Sequence, residues 1–148
     1  MNKLLKLMSF WPPFFASGIK VKIVGDNQDE FLVSMPLRFY NKNYVGTHYG
    51  GSLYSMCDPF YMLILMEKLG REYLVWDKAA SIQFKKPGKG KVTAHFKISD
   101  FEVTKIRQKV ETEGKWEPSF TIEVKDQEDE IVALVDKKLW VKKKTENS

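Results

Sequence analysis

Residues 43–70 read NYVGTHYGGSLYSMCDPFYMLILMEKLG, and residues 49–66 within them form the longest segment of the chain with little charge. Residues 52–69 are too long and too apolar for a typical strand, and Gly70 suits the end of a helix. Apolar residues lie nearly all round this segment, which is typical of a buried helix. We therefore predict a central helix over residues 51–69, around which the rest of the fold is built.

Asp58 is the one acid inside this apolar run, since the next charge is Glu67. A buried carboxylate is costly unless it is paired, caps a helix or takes part in chemistry. Pro59 follows it, and proline is poorly tolerated inside a helix. One interpretation is that the helix breaks and restarts here, with Asp58 as N-cap and Pro59 at the first helical position. The other, compatible with the first, is that Asp58 is a functional carboxylate.

Gly50 and Gly51 open the predicted helix. Free N–H groups at a helix start can bind an oxygen that carries or develops negative charge, and glycines allow it to approach closely. Asp58 lies about two helical turns further along, so it can help line the same cavity without touching the helix start of its own chain. In a dimer, Asp58 of one chain can face the glycines of the other.

The remaining segments predict a single α+β domain over residues 1–148. Strand-type alternation occurs in six segments, two before the central helix, two after it and two near the C-terminus. The sequence PGKG (residues 87–90) predicts a hairpin turn between the third and fourth strands, and a second helix is predicted from Ser99 or Asp100 to Gly114. Residues 1–15 predict a short amphipathic helix that stops at the proline pair, with these side chains facing the core: Leu4, Leu7, Met8 and Trp11.

This order of elements is typical of one sheet that wraps a single long helix. Such a sheet still has two edges and an outer face, and pairing with a second copy is the natural way to bury them. We therefore predict a homodimer or a dimer of dimers.

Composition narrows the functional classes. The chain has 148 residues, 43% of them hydrophobic, and a formal net charge of +5. Cys57 is the only cysteine, which excludes an intramolecular disulfide, makes a cysteine-based zinc site implausible and fits a cytoplasmic protein. We find no membrane span, P-loop, dinucleotide-binding fingerprint or metal-ligand spacing. The clustered lysines are either a solvated face or an anion site.

Residues 43–58, NYVGTHYGGSLYSMCD, resemble the Asn-x-x-Gly-Thr-x-His-Gly-Gly…Asp signature of hotdog-fold acyl-CoA thioesterases of the phenylacetate-pathway type. Residues 50–92 resemble an uncharacterised bacterial branch of that superfamily, with its Gly-Gly…Asp-Pro…Leu-Gly…Val-Trp-Asp…Phe-x-Lys-Pro-Gly layout. The resemblance implies a hotdog fold, with an antiparallel sheet of about six strands around one long helix. It also implies a thioesterase that hydrolyses a small-molecule acyl-CoA, or an acyl-carrier-protein thioester, between subunits, without a metal and without a cofactor other than the coenzyme A of the substrate.

The resemblance also implies roles for individual residues. Asn43 matches an asparagine that orients the reacting groups, and Gly50 matches the glycine whose N–H polarises the thioester carbonyl. Asp58 matches the carboxylate that activates water or attacks directly. Asp77 lies ten residues before Pro87, where related enzymes can carry a polar helper. Basic residues would meet the phosphates of the nucleotide at the dimer seam, and the candidates are Lys85, Lys86, Lys89 and Lys91.

One departure bears on the chemistry. The position directly before the glycine pair, a histidine in the family, is Tyr49 here, and His48 lies one place earlier. A tyrosine cannot supply the same imidazole hydrogen bonds, so the alternative is a non-catalytic binder of acyl chains or acyl-CoA. His48, Tyr49 and Gly51 are substrate-binding candidates on either interpretation. A hydratase would need a histidine paired with an acid on the central helix, and nucleic-acid binding has no recognition motif to support it.

Overall fold

The computed structural model describes residues 3–145, with side chains from Leu5 onward. A 3-10 helix (Lys3–Phe10) precedes four α-helices and seven strands. The helices are α1 (Pro12–Ser17), α2 (Gly50–Ser55), α3 (Phe60–Leu69) and α4 (Asp100–Glu113). The strands are β1 (Lys20–Val24), β2 (Glu30–Met35), β3 (Tyr73–Phe84), β4 (Val92–Phe96), β5 (Lys115–Trp116), β6 (Ser119–Lys125) and β7 (Ile131–Lys143).

The strands form one antiparallel sheet in the order β1-β2-β4-β6-β7-β3, and the short β5 pairs with β7. The six predicted strands are confirmed, and the two-residue β5 is the addition. The predicted PGKG hairpin is wrong, because β3 pairs with β7 while β4 pairs with β2 and β6. Residues 85–91 therefore carry the chain from one edge of the sheet to its interior.

The predicted central helix is present but interrupted. α2 ends at Ser55 and α3 begins at Phe60, with turns between them. The break expected at Pro59 is therefore confirmed, whereas the predicted N-cap is wrong: Pro59 itself is the N-cap of α3, and no side chain caps it. Gly70 ends α3 at a φ of 87°, as its position predicted.

The core lies between the inner face of the sheet and this broken helix. Phe60, which is fully buried at the start of α3, packs its ring against three other phenylalanines, from α1, β2 and β4. Cys57 is also fully buried, and burial raises the pKa of its thiol to about 12, which fits an apolar filler. Among residues 3–145, no helix is long and apolar enough to cross a membrane.

The N-terminus differs from the predicted amphipathic helix. The proline pair starts α1 rather than ending a helix. Proline is tolerated at the first helical positions, because an N–H group there would have no acceptor within the helix. Leu7 and Trp11 are 57% and 52% exposed, so the prediction that they face the core is wrong. Met8 packs against the core, and the side chain of Leu4 lies outside the described part of the chain.

Candidate active site

The loop before α2 and the end of β3 enclose an open cleft of about 440 Å³. The sequence candidates Asn43, His48 and Gly50 line it together, and so do Lys85 and Lys86. The remaining lining comes from Thr47, Leu53, Phe84, Pro87 and Gly88. Residues from the two separate motifs that carried the family resemblance therefore meet in one place.

Asn43 organises the loop that forms one wall of this cleft. Its Oδ1 accepts hydrogen bonds from the backbone N–H of Val45 and Thr47, at 3.1 and 2.9 Å. Its Nδ2 donates to Thr47 Oγ1 at 2.9 Å and to the carbonyl of His48 at 3.3 Å. Both the oxygen and the nitrogen of the amide thus form hydrogen bonds within the loop, so in this structure Asn43 stabilises the wall of the cleft.

His48 is buried, with 3% of its surface exposed, and its Nε2 lies 2.7 Å from the carbonyl oxygen of Gly90. A carbonyl accepts only, so Nε2 carries the proton and Nδ1 is an acceptor. Nδ1 is buried and has no hydrogen-bond partner within the described residues. Burial lowers the pKa of His48, although the hydrogen bond to Gly90 opposes the shift, so the ring is neutral at pH 7.

We expect the neutral state of His48 to make folding sensitive to pH. The ordinary pKa of 6.5 applies to the unfolded chain and is lowered on folding. The stabilisation is therefore complete above pH 6.5 and is lost as pH falls towards the folded pKa. Replacing His48 by glutamine should therefore reduce the free energy of unfolding that is lost between pH 7.5 and 5.5, by at most about 1 kcal/mol, a limit set by the unfolded pKa.

Urea unfolding at the two pH values measures this effect. His95→Gln is the matched control, because His95 is exposed and its Nε2 lies 2.7 Å from Glu30 on the surface. The expectation fails if His48→Gln and the parent chain lose the same free energy on acidification.

Gly50 and Gly51 are the first two residues of α2, so their N–H groups have no acceptor within the helix. A Cβ on Gly50 would lie 2.9 Å from Phe84 Cζ, and a Cβ on Gly51 would lie 2.5 Å from Tyr49 Cε1. Aromatic rings therefore flank both glycines closely. Tyr49, which stands where relatives have histidine, is 60% exposed and directs its ring along the helix start.

Asp58 lies in the break between α2 and α3, with its side chain 49% exposed. The hydroxyl of Tyr54 donates to Asp58 Oδ1 at 2.7 Å, and the ammonium of Lys137 donates to the same oxygen at 3.0 Å. Burial raises the pKa of Tyr54, and the nearby carboxylate of Asp58 adds to the shift, so the phenol stays protonated as a donor. Asp58 is thus paired rather than capping α3.

Lys137 is a candidate site residue that the sequence analysis did not identify. Its side chain is 1% exposed, and Nζ lies 3.0 Å from Asp77 Oδ1 as well as 3.0 Å from Asp58 Oδ1. Burial alone would lower the pKa of Lys137, but the two carboxylates outweigh it and the pKa is raised. Asp77 Oδ1 has no aligned hydrogen bond, so its contact with the ammonium is mainly ionic.

The local strand geometry explains why Lys137 and Asp77 meet. Val135, Lys137 and Leu139 alternate along β7 and are all buried on the face towards the helices. A register shift in β3 between Asp77 and Ala79 marks a β-bulge at Lys78. Bulges re-aim side chains beside functional sites. Burial raises the pKa of Asp77, while Lys137 opposes that shift.

The four candidate phosphate-binding lysines are not equivalent. Lys86 forms ion pairs with Asp126 and Glu130, which occupy its ammonium, and Lys85 donates to Gln83 at 2.8 Å. The side chains of Lys89 and Lys91 are exposed and form no ion pair within the described residues. Lys85 lines the cleft without a charged partner, and Lys89 and Lys91 are exposed a few residues further along the chain, so these three lysines are better able to bind an anion than Lys86.

The candidate residues fall into two groups in one chain. Asn43, His48 and Gly50 share the cleft, whereas Asp58 and Asp77 share Lys137. Asp58 is not part of the cleft lining, and no hydrogen bond or ion pair among residues 3–145 joins the two groups. The expectation that Asp58 helps to line the cavity beside Gly50 in its own chain is therefore wrong, while the expectation that it does not touch the helix start is met.

Several solved structures share this architecture. The P. aeruginosa protein PA5026, described as being of unknown function and a probable thioesterase, gives a TM-score of 0.82 at 19% identity, over 95% of this chain and 93% of that chain. Thioesterase HI1161 of Haemophilus influenzae gives 0.67 at 15% identity, over 97% and 93% of the two chains. A mutant of the phenylacetic acid degradation protein PaaI of Thermus thermophilus gives 0.60 at 19% identity, over 87% and 97%.

These likenesses confirm that the chain has the hotdog fold. Residues 2–141 match the family described as a domain of unknown function, DUF4442, and the chain belongs to that family. No curated protein sequence matches the chain.

Proposed function

We propose that the protein is a thioesterase that hydrolyses an acyl-CoA or acyl-carrier-protein thioester at a site between two subunits. The observation that carries this proposal is the state of Asp58, a half-exposed carboxylate in a break of the buried helix, with donors on one oxygen only. Asp58 Oδ2 has no hydrogen bond within the described residues, so it can accept a proton from water. Structural neighbours described as thioesterases support the same reaction class.

The second chemical requirement is a donor for the oxyanion. The N–H groups of Gly50 and Gly51 open α2 beside the cleft, in a position to bind the carbonyl oxygen of a thioester. A donor aimed at the oxygen that becomes negative in the transition state contributes a large share of the rate in acyl transfer. His48 Nδ1, buried without a partner among the described residues, offers one acceptor beside this cleft.

In the proposed reaction Asp58 is the general base and Gly50 is the oxyanion donor. Asp58 takes a proton from water as the water oxygen bonds to the carbonyl carbon, and the N–H of Gly50 stabilises the oxyanion. The intermediate then collapses, the C–S bond breaks, and the thiolate receives the proton from Asp58. Direct attack by Asp58 is the other route, giving a mixed anhydride that water hydrolyses. Asp77 supports the carboxylate through Lys137.

The nucleotide end of coenzyme A would lie against the basic rim of the cleft. Lys85 lines the cleft and is held by an uncharged partner, whereas Lys86 is neutralised by carboxylates. Lys89 and Lys91 follow in the chain and are exposed. We propose that the phosphates bind Lys85, Lys89 and Lys91, since clustered cations attract phosphate.

Two features of β3 support assembly with a second copy. This strand has 12 residues and forms one edge of the sheet, with β7 as its only strand partner in the described part of the chain. Residues 78–81 are exposed, and Trp76 is 62% exposed. Long uncovered edges are avoided by stable monomers. Pairing of β3 with its copy would bring Asp58 of one protomer towards the cleft of its partner.

A non-catalytic binder of acyl-CoA is the second candidate. It is favoured by the ion pair itself, because a carboxylate held by a buried ammonium can serve structure alone. It is favoured also by Tyr49 at the position where relatives carry histidine.

Turnover of a panel of acyl-CoAs, from acetyl to long-chain and aromatic, distinguishes the candidates. Free thiol release is followed with a thiol reagent, and binding of each ester is measured by calorimetry. We expect turnover of at least one chain-length class. Binding without thiol release for every acyl group tested would overturn the enzyme proposal and leave the binder.

A further inference from the structure

Lys137 is a charged side chain on a face where packing alone would favour an apolar residue. It lies between Val135 and Leu139 on the buried side of β7, and it is one of the largest fully buried side chains. A buried ion pair seldom stabilises a protein more than apolar residues of similar size would. Stability therefore gives a weak reason for a lysine here, and the chemistry of its partners gives a stronger one.

The contacts of Asp58 are asymmetric. Tyr54 Oη and Lys137 Nζ both bind Oδ1, at 2.7 and 3.0 Å. The ammonium is held from its other side by Asp77, also at 3.0 Å, so its own position is fixed between two strands and a helix. Two donors on one oxygen determine the rotation of the carboxylate plane, which leaves the second oxygen of this half-exposed side chain in a defined place.

We infer that Lys137 is a positioning residue of the reaction: it fixes Asp58 by Oδ1, so that Oδ2 is the oxygen that acts on water or on the thioester. This inference rests on the proposed thioesterase function and extends it to a residue on β7. Lys137 itself is buried and does not need to touch the substrate. Its second effect is electrostatic, because one cation lets two neighbouring carboxylates carry charge together.

Three ionisable groups and one thiol surround Asp58, and each bears on its pH dependence. Tyr54 from α2 and Lys137 from β7 donate to it directly, and Asp77 from β3 lies across the ammonium. Cys57, its neighbour in the chain, is a thiol whose pKa burial raises to about 12 and which is therefore uncharged at neutral pH. Removing Lys137 takes away the only cation among these groups.

Lys137→Met tests the inference, because methionine fills similar volume without charge. We expect kcat to fall roughly 10- to 100-fold, KM to change less than about threefold, and the acid limb of the kcat–pH profile to move to higher pH, because Asp58 loses a cation 3.0 Å from its Oδ1. Lys138→Met is the matched control, since Lys138 is the next residue of β7 and half-exposed. It should keep kcat and the profile.

A second variant covers the case in which Lys137→Met does not fold. Lys137→Gln with Asp77→Asn removes one cation and one anion together, so the net charge of the cluster is unchanged and Asp58 still loses its ammonium. We expect a fall in kcat and an upward shift of the acid limb that is smaller than in Lys137→Met, because the neighbouring carboxylate of Asp77 is removed as well. Wild-type kcat and an unshifted profile in either folded variant would overturn the inference.

Failure of the inference and failure of the proposed function give different results. If wild-type protein hydrolyses thioesters and the Lys137 variants match it, only the inference fails. If wild-type protein hydrolyses no thioester, the proposed function fails. The ¹³C carboxyl resonance of Asp58, titrated in wild type and in the variants, then tests separately whether Lys137 acts on Asp58. An upward shift of the titration midpoint in the variants supports the action of Lys137 on Asp58, and an unchanged midpoint overturns it.

Discussion

Asp58→Asn should lower kcat for acyl-CoA hydrolysis by about 10²- to 10⁴-fold, with the fold intact. Asparagine keeps an Oδ1 that can accept from the Tyr54 hydroxyl and from Lys137, the two contacts seen in the structure. Lys137 also keeps Asp77 as a counter-ion. What the variant loses is the free carboxylate oxygen, and an amide can neither take a proton from water nor attack a thioester.

Asp136→Asn is the control for this experiment. Asp136 precedes Lys137 on β7 but is exposed on the opposite face, where it accepts from Thr121 Oγ1 at 2.6 Å. The Asp136→Asn variant removes the same chemical group a short distance from Asp58 and should keep kcat within about twofold of the wild-type value. Circular dichroism and thermal melting show whether both variants fold. A folded Asp58→Asn protein with near wild-type turnover would show that Asp58 is not the base or nucleophile.

The sequence predicted the parts of the fold that local patterns determine. Alternation in β4 places Val92, Ala94 and Phe96 inward, and all three are buried. Ser99 forms a capping box with Glu102 at the start of α4, and Gly114 ends the helix with a φ of 78°. These signals lie within a few residues of the element that they define.

The strand order could not be predicted in the same way. A Pro-Gly turn between two strands usually indicates a hairpin, yet residues 85–91 cross from β3 to a strand on the far side of two others. Which strands pair depends on contacts between distant segments, and turn chemistry carries no information about them. For the same reason the sequence could not assign a partner to Asp58, because Lys137 is 79 residues away.

Lys137 was predictable in part. Val135, Leu139 and Val141 alternate inward along β7, and the same period places Lys137 on the buried face. The run of lysines near the C-terminus instead suggested a solvated surface. Lys137 was read as part of that run, although its position in the alternation is that of the buried residues. Asp77 lies on the same face as Lys137 because it pairs with Leu139, and neither this register nor the bulge at Lys78 left a signal in the residue pattern.

The second large effect is expected at Gly50, whose N–H is proposed to bind the oxyanion. Gly50→Pro removes this donor and is compatible with the backbone, since proline is tolerated at the first helical position and Tyr49 already has the extended backbone, φ −62° and ψ 128°, that a following proline requires. We expect kcat to fall by about 10²- to 10³-fold. Gly50→Ala is the control, because it adds the Cβ that approaches Phe84 but keeps the N–H. Equal loss in both variants would assign the effect to sterics.

Mixing the two inactive proteins tests whether the site is shared between chains. If the chain dimerises as proposed, co-expression of Asp58→Asn and Gly50→Pro subunits with different tags gives a mixture of homodimers and heterodimers. If each site takes its carboxylate from one chain and its N–H from the other, every heterodimer has one site with both defects and one site with neither. Random pairing should then restore about a quarter of wild-type activity, since half of the dimers are mixed and half of their sites are intact. Mixtures that stay as inactive as the two parents would place Asp58 and Gly50 in different sites, or in one chain, and would remove the reason for a composite active site.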